Sequence, residues 1–275
     1  MKFAICNETF LDWPFDKAFA FARECGYTGI EIAPFTMASD AKEIGSARRT
    51  EVRRQAEAAD LEVIGLHWLL AKTTGYYLTS PDRAVRDKTA QYLRDLAHLC
   101  RDLGGKLLVF GSPQQRNLLP GVTHEQAMGY AAEVFQSVVP TLEETDVTLL
   151  VEPLGPAEGD FLLTADLGAQ LAEMVGSSHC RLHLDCKAMS SEATPIPDII
   201  RKHAAMLTHF HANDANRLGP GFGEIDFVPI FEALGEIDYR GWVSVEVFDY
   251  SPGVERLARE SIEYMQSCLA QIAGN

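Results

Sequence analysis

Short apolar runs alternate with longer amphipathic stretches along the whole chain. The short runs are "FAIC" (3 to 6), "GIEIA" (29 to 33), "EVIGLHW" (62 to 68), "KLLVFG" (106 to 111), "VTLLVE" (147 to 152), "RLHLD" (181 to 185), "MLTHFH" (206 to 211) and "WVSVEV" (242 to 247). Their length and punctuation predict eight strands. The stretches 14 to 25, 46 to 59, 82 to 103, 123 to 145, 164 to 175, 196 to 204, 227 to 235 and 252 to 271 carry helical periodicity. Start signals include the Ser80-Pro81 pair, Thr123 with Gln126 three residues on, and Thr164 before "ADLGAQLAEM", and helices are expected to begin there. In "ECGYTGIEI" and "DLGGKLLVF" a glycine follows a helix and a strand follows the glycine, the usual αβ connection. Eight consecutive βα units without a linker predict one domain over residues 1 to 275, an α/β protein of the (β/α)8 TIM barrel class. The alternative is an open doubly wound sheet, but no GxGxxG follows the first strand.

Composition narrows the partners. Hydrophobic residues make up 47% and charged residues 23%, an ordinary globular balance with ample material for a core. The formal charge of -15, from 39 acidic against 24 basic residues, repels phosphate backbones and anionic lipid, so neither a nucleic-acid nor a membrane partner is expected. No apolar run approaches the roughly 18 residues of a membrane span. Six cysteines occur with no CxxC pair, and "MKFAICNETF" carries an acid where the apolar core of a signal peptide would stand. A reduced, cytoplasmic protein is expected.

In a barrel the chemistry gathers at the C-terminal ends of the strands. The fifth strand ends in Glu152, the sixth in Asp185, the seventh in His211 and the eighth in Glu246. Alternation places Thr148, Leu150 and Glu152 on one face, and likewise Arg181, His183 and Asp185; Leu207, His209 and His211; Trp242, Ser244 and Glu246. Taken singly, a strand-end carboxylate is more often a helix cap or a solvated loop residue, and a lone histidine a hydrogen-bonded packing residue. Taken together, three carboxylates and an imidazole on neighbouring strand ends would repel if buried without a cation. One divalent metal ion resolves that conflict. One nitrogen and three oxygen donors suit Mn²⁺, Mg²⁺ or Co²⁺ at least as well as Zn²⁺, and no cysteine belongs to the set. The loop after His211, "ANDANRLGPGFGEIDF", is long and glycine-rich, as binding loops often are.

Over its whole length the chain resembles the xylose isomerase-like barrel superfamily, and within it the sugar isomerases and epimerases that include the ketose 3-epimerases. The motifs are "VEPLGPAEGDFLLT", "LHLDCKAMSSE", "HFHANDANRLGPGFGEIDF" and "WVSVEVFD". The resemblance implies that Glu152, Asp185, His211 and Glu246 hold one divalent cation, Mn²⁺ first among the candidates. It implies that Glu152 and Glu246 exchange protons beside the carbonyl of a small carbohydrate, through an enediolate. It also implies substrate contacts at Glu158, six residues after the strand-five ligand, and at Arg217, six after the metal histidine. His67 in "GLHW" is a further substrate-binding candidate, or else a layer-filling core residue. The family commonly has a histidine three residues after the strand-six aspartate; here Ala188 stands there, and Lys187 beside it offers a donor or faces solvent. A homodimer or homotetramer is expected. Three rival readings are a lyase or dehydratase acting on a keto-inositol or 3-keto-glycoside, an apurinic-site endonuclease of the same fold, and a non-catalytic sugar-binding barrel. The endonuclease needs further metal ligands and a less acidic surface.

Overall fold

Each apolar run becomes a parallel strand, and each amphipathic stretch a helix packed outside it. The computed structural model describes residues 1–274, in the order β1 (Lys2–Cys6), α1 (Phe15–Cys25), β2 (Gly29–Ile32), α2 (Ser46–Ala58), β3 (Glu62–Leu66), α3 (Arg83–Leu103), β4 (Leu107–Phe110), α4 (His124–Thr145), β5 (Thr148–Val151), α5 (Ala165–Val175), β6 (Cys180–Asp185), α6 (Cys186–Met189), α7 (Ile196–Lys202), β7 (Leu207–Ala212), α8 (Phe227–Glu236), β8 (Trp242–Val245) and α9 (Val254–Gly274). Neighbouring strands pair in sequence order, and β8 pairs back onto β1, closing the single-domain (β/α)8 barrel. No described helix is long and apolar enough to cross a membrane.

The main core lies between barrel and helices; Phe110 of β4, for example, meets Phe135 of α4 edge to face with centroids 5.2 Å apart. Inside the barrel the picture differs. Ala4, Ile64 and Trp242 form a small separate apolar cluster. A Cβ on Gly29 would come within 2.6 Å of the Trp242 ring, so the indole needs that glycine beside it. Removing so buried an aromatic costs about 3–5 kcal/mol. Further along the strands the interior turns polar, with Cys6, Glu31, His183, His209, His211 and Ser244 all buried.

A bulge sets the register that the chemistry requires. Leu182 pairs with Leu207, but the pairing then slips by one, so that His183 meets His209 and Asp185 meets His211. Without the slip Asp185 would face Phe210, whose side chain belongs to the outer core. A second slip brings Glu31 opposite Gly65.

Several helix starts follow the sequence signals. Thr123 and Gln126 form a complete capping box on α4, and Thr164 accepts from Leu167 N at the start of α5. The Ser80-Pro81 signal lies slightly early: Asp82 caps α3, accepting from Ala84 N, while Ser80 Oγ accepts from Asp82 N. The third strand ends at Leu66, so His67 and Trp68 lie just past it, with Trp68 in the left-handed region at φ 51°. The short helix α6 has no sequence counterpart, because its cap is the Asp185 side chain itself, accepting from Ala188 N at 2.8 Å.

Candidate metal centre

Donor atoms of Glu152, Asp185, His211 and Glu246 lie within 4.8 Å of one another, and all four residues are buried. His211 Nδ1 is 3.1 Å from Glu246 Oε2 and 3.8 Å from Glu152 Oε1. The four strand ends singled out by alternation thus converge at the C-terminal mouth.

Neighbours hold each group. Asp185 Oδ2 accepts from Asn213 Nδ2 at 2.6 Å, and Asn213 Oδ1 accepts from Lys187 N at 2.8 Å. The "HAND" segment therefore locks the sixth strand end to the seventh. Asp214 next to it accepts from Glu224 N and Ile225 N, folding the glycine-rich loop back on itself. Fully buried Arg116 donates to the Glu152 carbonyl at 2.6 Å and to Phe110 O at 3.3 Å. Gly111 leaves room for the Glu152 carboxylate, because any Cβ there would overlap Oε2.

On its far side His211 turns Nε2 toward Glu31 Oε2, 3.2 Å away, and His209 Nε2 reaches the same oxygen at 2.8 Å. Glu31 is wholly buried. A carboxylate on the second ring nitrogen orients an imidazole and fixes its tautomer, the usual support for a metal-binding histidine.

Burial and the neighbouring charges shift all four groups. Burial, reinforced by Glu246, pushes Glu152 well above the ordinary carboxylate range. Burial likewise raises Asp185 to about 6, with Lys187 opposing and Glu246 assisting. For Glu246 burial acts upward too, but the His211 imidazole outweighs it and the carboxyl ends below its usual value. His211 is raised well above the normal imidazole value because Glu31 and Glu246 overcome the cost of burying its charge. Three buried carboxylates and an imidazole crowded within 4.8 Å of one another are a donor set fitted to a divalent metal.

The proposed substrate contacts fall around the same mouth. Glu158, Arg217, Glu152 and Glu246 line one cavity of 360 Å³. Lys187 Nζ pairs with Glu158 Oε2 at 2.6 Å and lies 4.7 Å from the centroid of the Phe248 ring. Arg217 adopts φ 74°, and its carbonyl accepts from Phe248 N and Asp249 N at 2.9 and 3.1 Å. His67 is fully buried, its Nε2 2.8 Å from Glu8 Oε2 without the alignment of a hydrogen bond. With Cys6 and Glu8 it brings a donor atom within 4.8 Å of Glu246. Glu31, Glu8, Arg116 and Asn213 were not singled out from the sequence. Glu31 had a signal, since it is the lone charge inside "GIEIA".

A closed barrel with three carboxylates and an imidazole converging at its C-terminal mouth belongs to the class of TIM barrels that carry their chemistry on strand ends. More narrowly, the chain belongs to the xylose isomerase-like TIM barrel family, whose profile matches residues 19–268. It is 30% identical over 188 residues to an L-ribulose 3-epimerase of Mesorhizobium japonicum, covering 67% of this chain and 62% of that one. It is 39% identical over 108 residues to a D-psicose 3-epimerase of Enterocloster bolteae, covering 39% of this chain and 36% of that one. The chain therefore spans less than two thirds of either relative's length in these matches. A probable ketose 3-epimerase of Synechocystis is 25% identical over 267 residues, 91% of this chain and 90% of that one. A D-psicose 3-epimerase crystallised with D-fructose superposes with a TM-score of 0.85 over 98% of this chain and 99% of that one, at 21% identity, a likeness of fold.

Proposed function

We propose that the protein is a divalent-metal-dependent sugar epimerase that inverts a carbinol carbon next to the carbonyl of a ketose or keto-sugar. The observation that carries this reading is the convergence of Glu152 and Glu246 from strand ends β5 and β8, together with Asp185 and His211. The names of the relatives, ketose 3-epimerases among them, point the same way. Glu152, Asp185, His211 and Glu246 would hold the ion, Mn²⁺ being the first candidate for an oxygen-rich set. When bound, it supplies Lewis acidity that stabilises the negative charge developing on the substrate's carbonyl oxygen.

The chain's own groups do the rest. Epimerisation needs one group to take the α-proton and a second to return a proton from the opposite face, and Glu152 and Glu246, on the ends of β5 and β8, are the two long carboxylates of the set. Glu246 removes the α-proton, and the electron pair moves into an enediolate. Glu152 then delivers its proton to the opposite face of the same carbon, and the reverse reaction exchanges the roles. Glu158, Arg217 and Lys187 bind hydroxyls at the rim, and His67 shapes the floor beside Glu246.

The test is turnover of free ketoses with added Mn²⁺ in D₂O, followed by NMR. Deuterium entering at the inverted carbon is expected; epimerisation without any solvent deuterium, even in single-turnover samples, rules out the two-carboxylate mechanism. Ala188, where family members commonly carry a histidine, leaves room for one second reading, a lyase on a keto-inositol or 3-keto-glycoside. That enzyme would make the same enediolate but release a β-substituent, so products of lower mass would replace epimers.

A further inference from the structure

A second set of donors gathers around Glu246. Cys6 Sγ, a Glu8 oxygen, a His67 nitrogen and a Glu246 oxygen all lie within 4.8 Å of one another. Cys6 closes β1, Glu8 sits in the 3-10 turn that follows it, and His67 lies just past β3, whereas the first set comes from the ends of β5 to β8. Glu246 alone belongs to both.

The polar atoms of this second set are short of partners. Glu8 is 4% exposed and His67 fully buried, yet neither oxygen of the one nor either nitrogen of the other has an aligned hydrogen-bond partner. Leaving buried polar atoms unpaired is costly, and a cation held between the two side chains satisfies both at once. Cys6 is fully buried as well, and its sulfur makes only long contacts, 3.6 Å to Ser244 Oγ and 4.0 Å to Glu31 Oε2. A plain carboxylate–imidazole contact accounts for neither the missing alignment nor the thiol beside it. Asn7 and Glu8 line the floor of an 820 Å³ cavity, which gives an ion its way in from solvent.

We propose that Cys6, Glu8, His67 and Glu246 form a second metal site, selective for a thiolate-binding ion such as Zn²⁺ or Co²⁺. One sulfur, one nitrogen and two carboxylates are the donors that zinc favours in four-coordinate sites, whereas Mn²⁺ and Mg²⁺ are better served by the oxygen-rich first set. On binding, the Cys6 thiol releases its proton to solvent and the sulfur takes the ion as a thiolate. The two sites sort metals by the softness of their donors, with Glu246 as their common wall. The second site stands apart from the epimerase reading, since an ion can be held there whatever the substrate.

Chelator-treated protein is titrated with Mn²⁺ and, separately, with Co²⁺. Mn²⁺ is expected to load about one ion per chain and Co²⁺ about two, the second Co²⁺ bringing a near-ultraviolet thiolate-to-cobalt charge-transfer band. The first donor set holds no sulfur, and among the described residues no cysteine other than Cys6 belongs to a cluster of metal donors, so the band reports Cys6. Cys6→Ser should abolish the band and one Co²⁺ while Mn²⁺ binding persists. His67→Ala should weaken Co²⁺ at this site about a hundredfold or more in chelator competition. His211→Ala should do the reverse of Cys6→Ser, losing Mn²⁺ and keeping the band. A wild type that takes up one Co²⁺ per chain, or that shows no band, overturns the second site without any variant having to fold. A band that survives Cys6→Ser, or undiminished Co²⁺ affinity in His67→Ala, overturns it too. Failure to turn over any ketose would instead sink the epimerase reading and leave the cobalt result standing for or against the site.

Discussion

The two halves of the barrel reach the same centre by different means. Strands β5 to β8 end in Glu152, Asp185, His211 and Glu246, whose own atoms converge. Strands β1 to β4 bring Glu8, Glu31, His67 and Gly111, which act through a neighbour or by leaving room: Glu31 on the back of His211, Glu8 beside His67, Gly111 beneath the Glu152 carboxylate. A residue that offers a donor to a ligand can be named from its type and position. One that only orients a donor becomes visible when the strands are laid side by side.

Substitutions that spare the metal but stop proton transfer should have the largest effect. Glu152→Gln and Glu246→Gln keep side-chain size and one oxygen but cannot carry a proton, so kcat should fall by about 10²–10⁴ with some metal retained by elemental analysis. Turnover surviving in either variant would demote β5 and β8 to the supporting role that the first four strands play. His211→Ala should lower metal content from about one per chain toward none, since it removes a donor and leaves buried carboxylates unpaired. Full metal content in that variant would break the comparison from the other side.

The supporting half should give intermediate effects. Glu31→Gln leaves every donor in place and should weaken metal affinity about 10–100-fold in chelator competition. A loss as large as that of His211→Ala, or none at all, would remove the distinction between the halves. At the rim, Arg217→Ala and Glu158→Ala should raise KM with a smaller fall in kcat.

The smallest expected effect concerns pH. Asp185 is raised from 3.8 to about 6 in the folded protein, so over that window the folded state binds the proton more tightly than the unfolded chain. The Tm contribution of this group in chelator-treated protein is therefore lost as pH rises through the window. A divalent metal, which needs the ionised carboxylate, should add progressively more to Tm across the same range. Asp185→Asn should flatten the metal-free slope; an unchanged slope would assign the proton elsewhere.

What was legible follows from the same distinction. Period and punctuation located every strand and most helix boundaries, because a barrel strand is a short apolar run wherever it falls. Glu152, Asp185, His211 and Glu246 were legible because each closes such a run in alternation with its inward neighbours. Glu31 was present as a lone charge in an apolar strand, yet its partners His209 and His211 lie about 180 positions away in sequence. Arg116 and Glu8 sit in the connections that follow β4 and β1, where charged residues are ordinary until burial marks them out. The slip of register between β6 and β7 has no local sequence sign at all, since it exists only as a relation between two strands.

That slip, with its counterpart between β2 and β3, carries a lesson for engineering. Both occur where the apolar interior gives way to the polar one, immediately before His183 and Glu31. They act as a seam: below it alignment answers to packing around Trp242, and above it to the spacing of the donors. Libraries that repack Ala4, Gly29, Ile64 and Trp242 for heat resistance thus work on a module whose errors stop at the seam. Grafts that exchange strand ends for a new activity should be cut there as well, with both bulges carried on the upper piece.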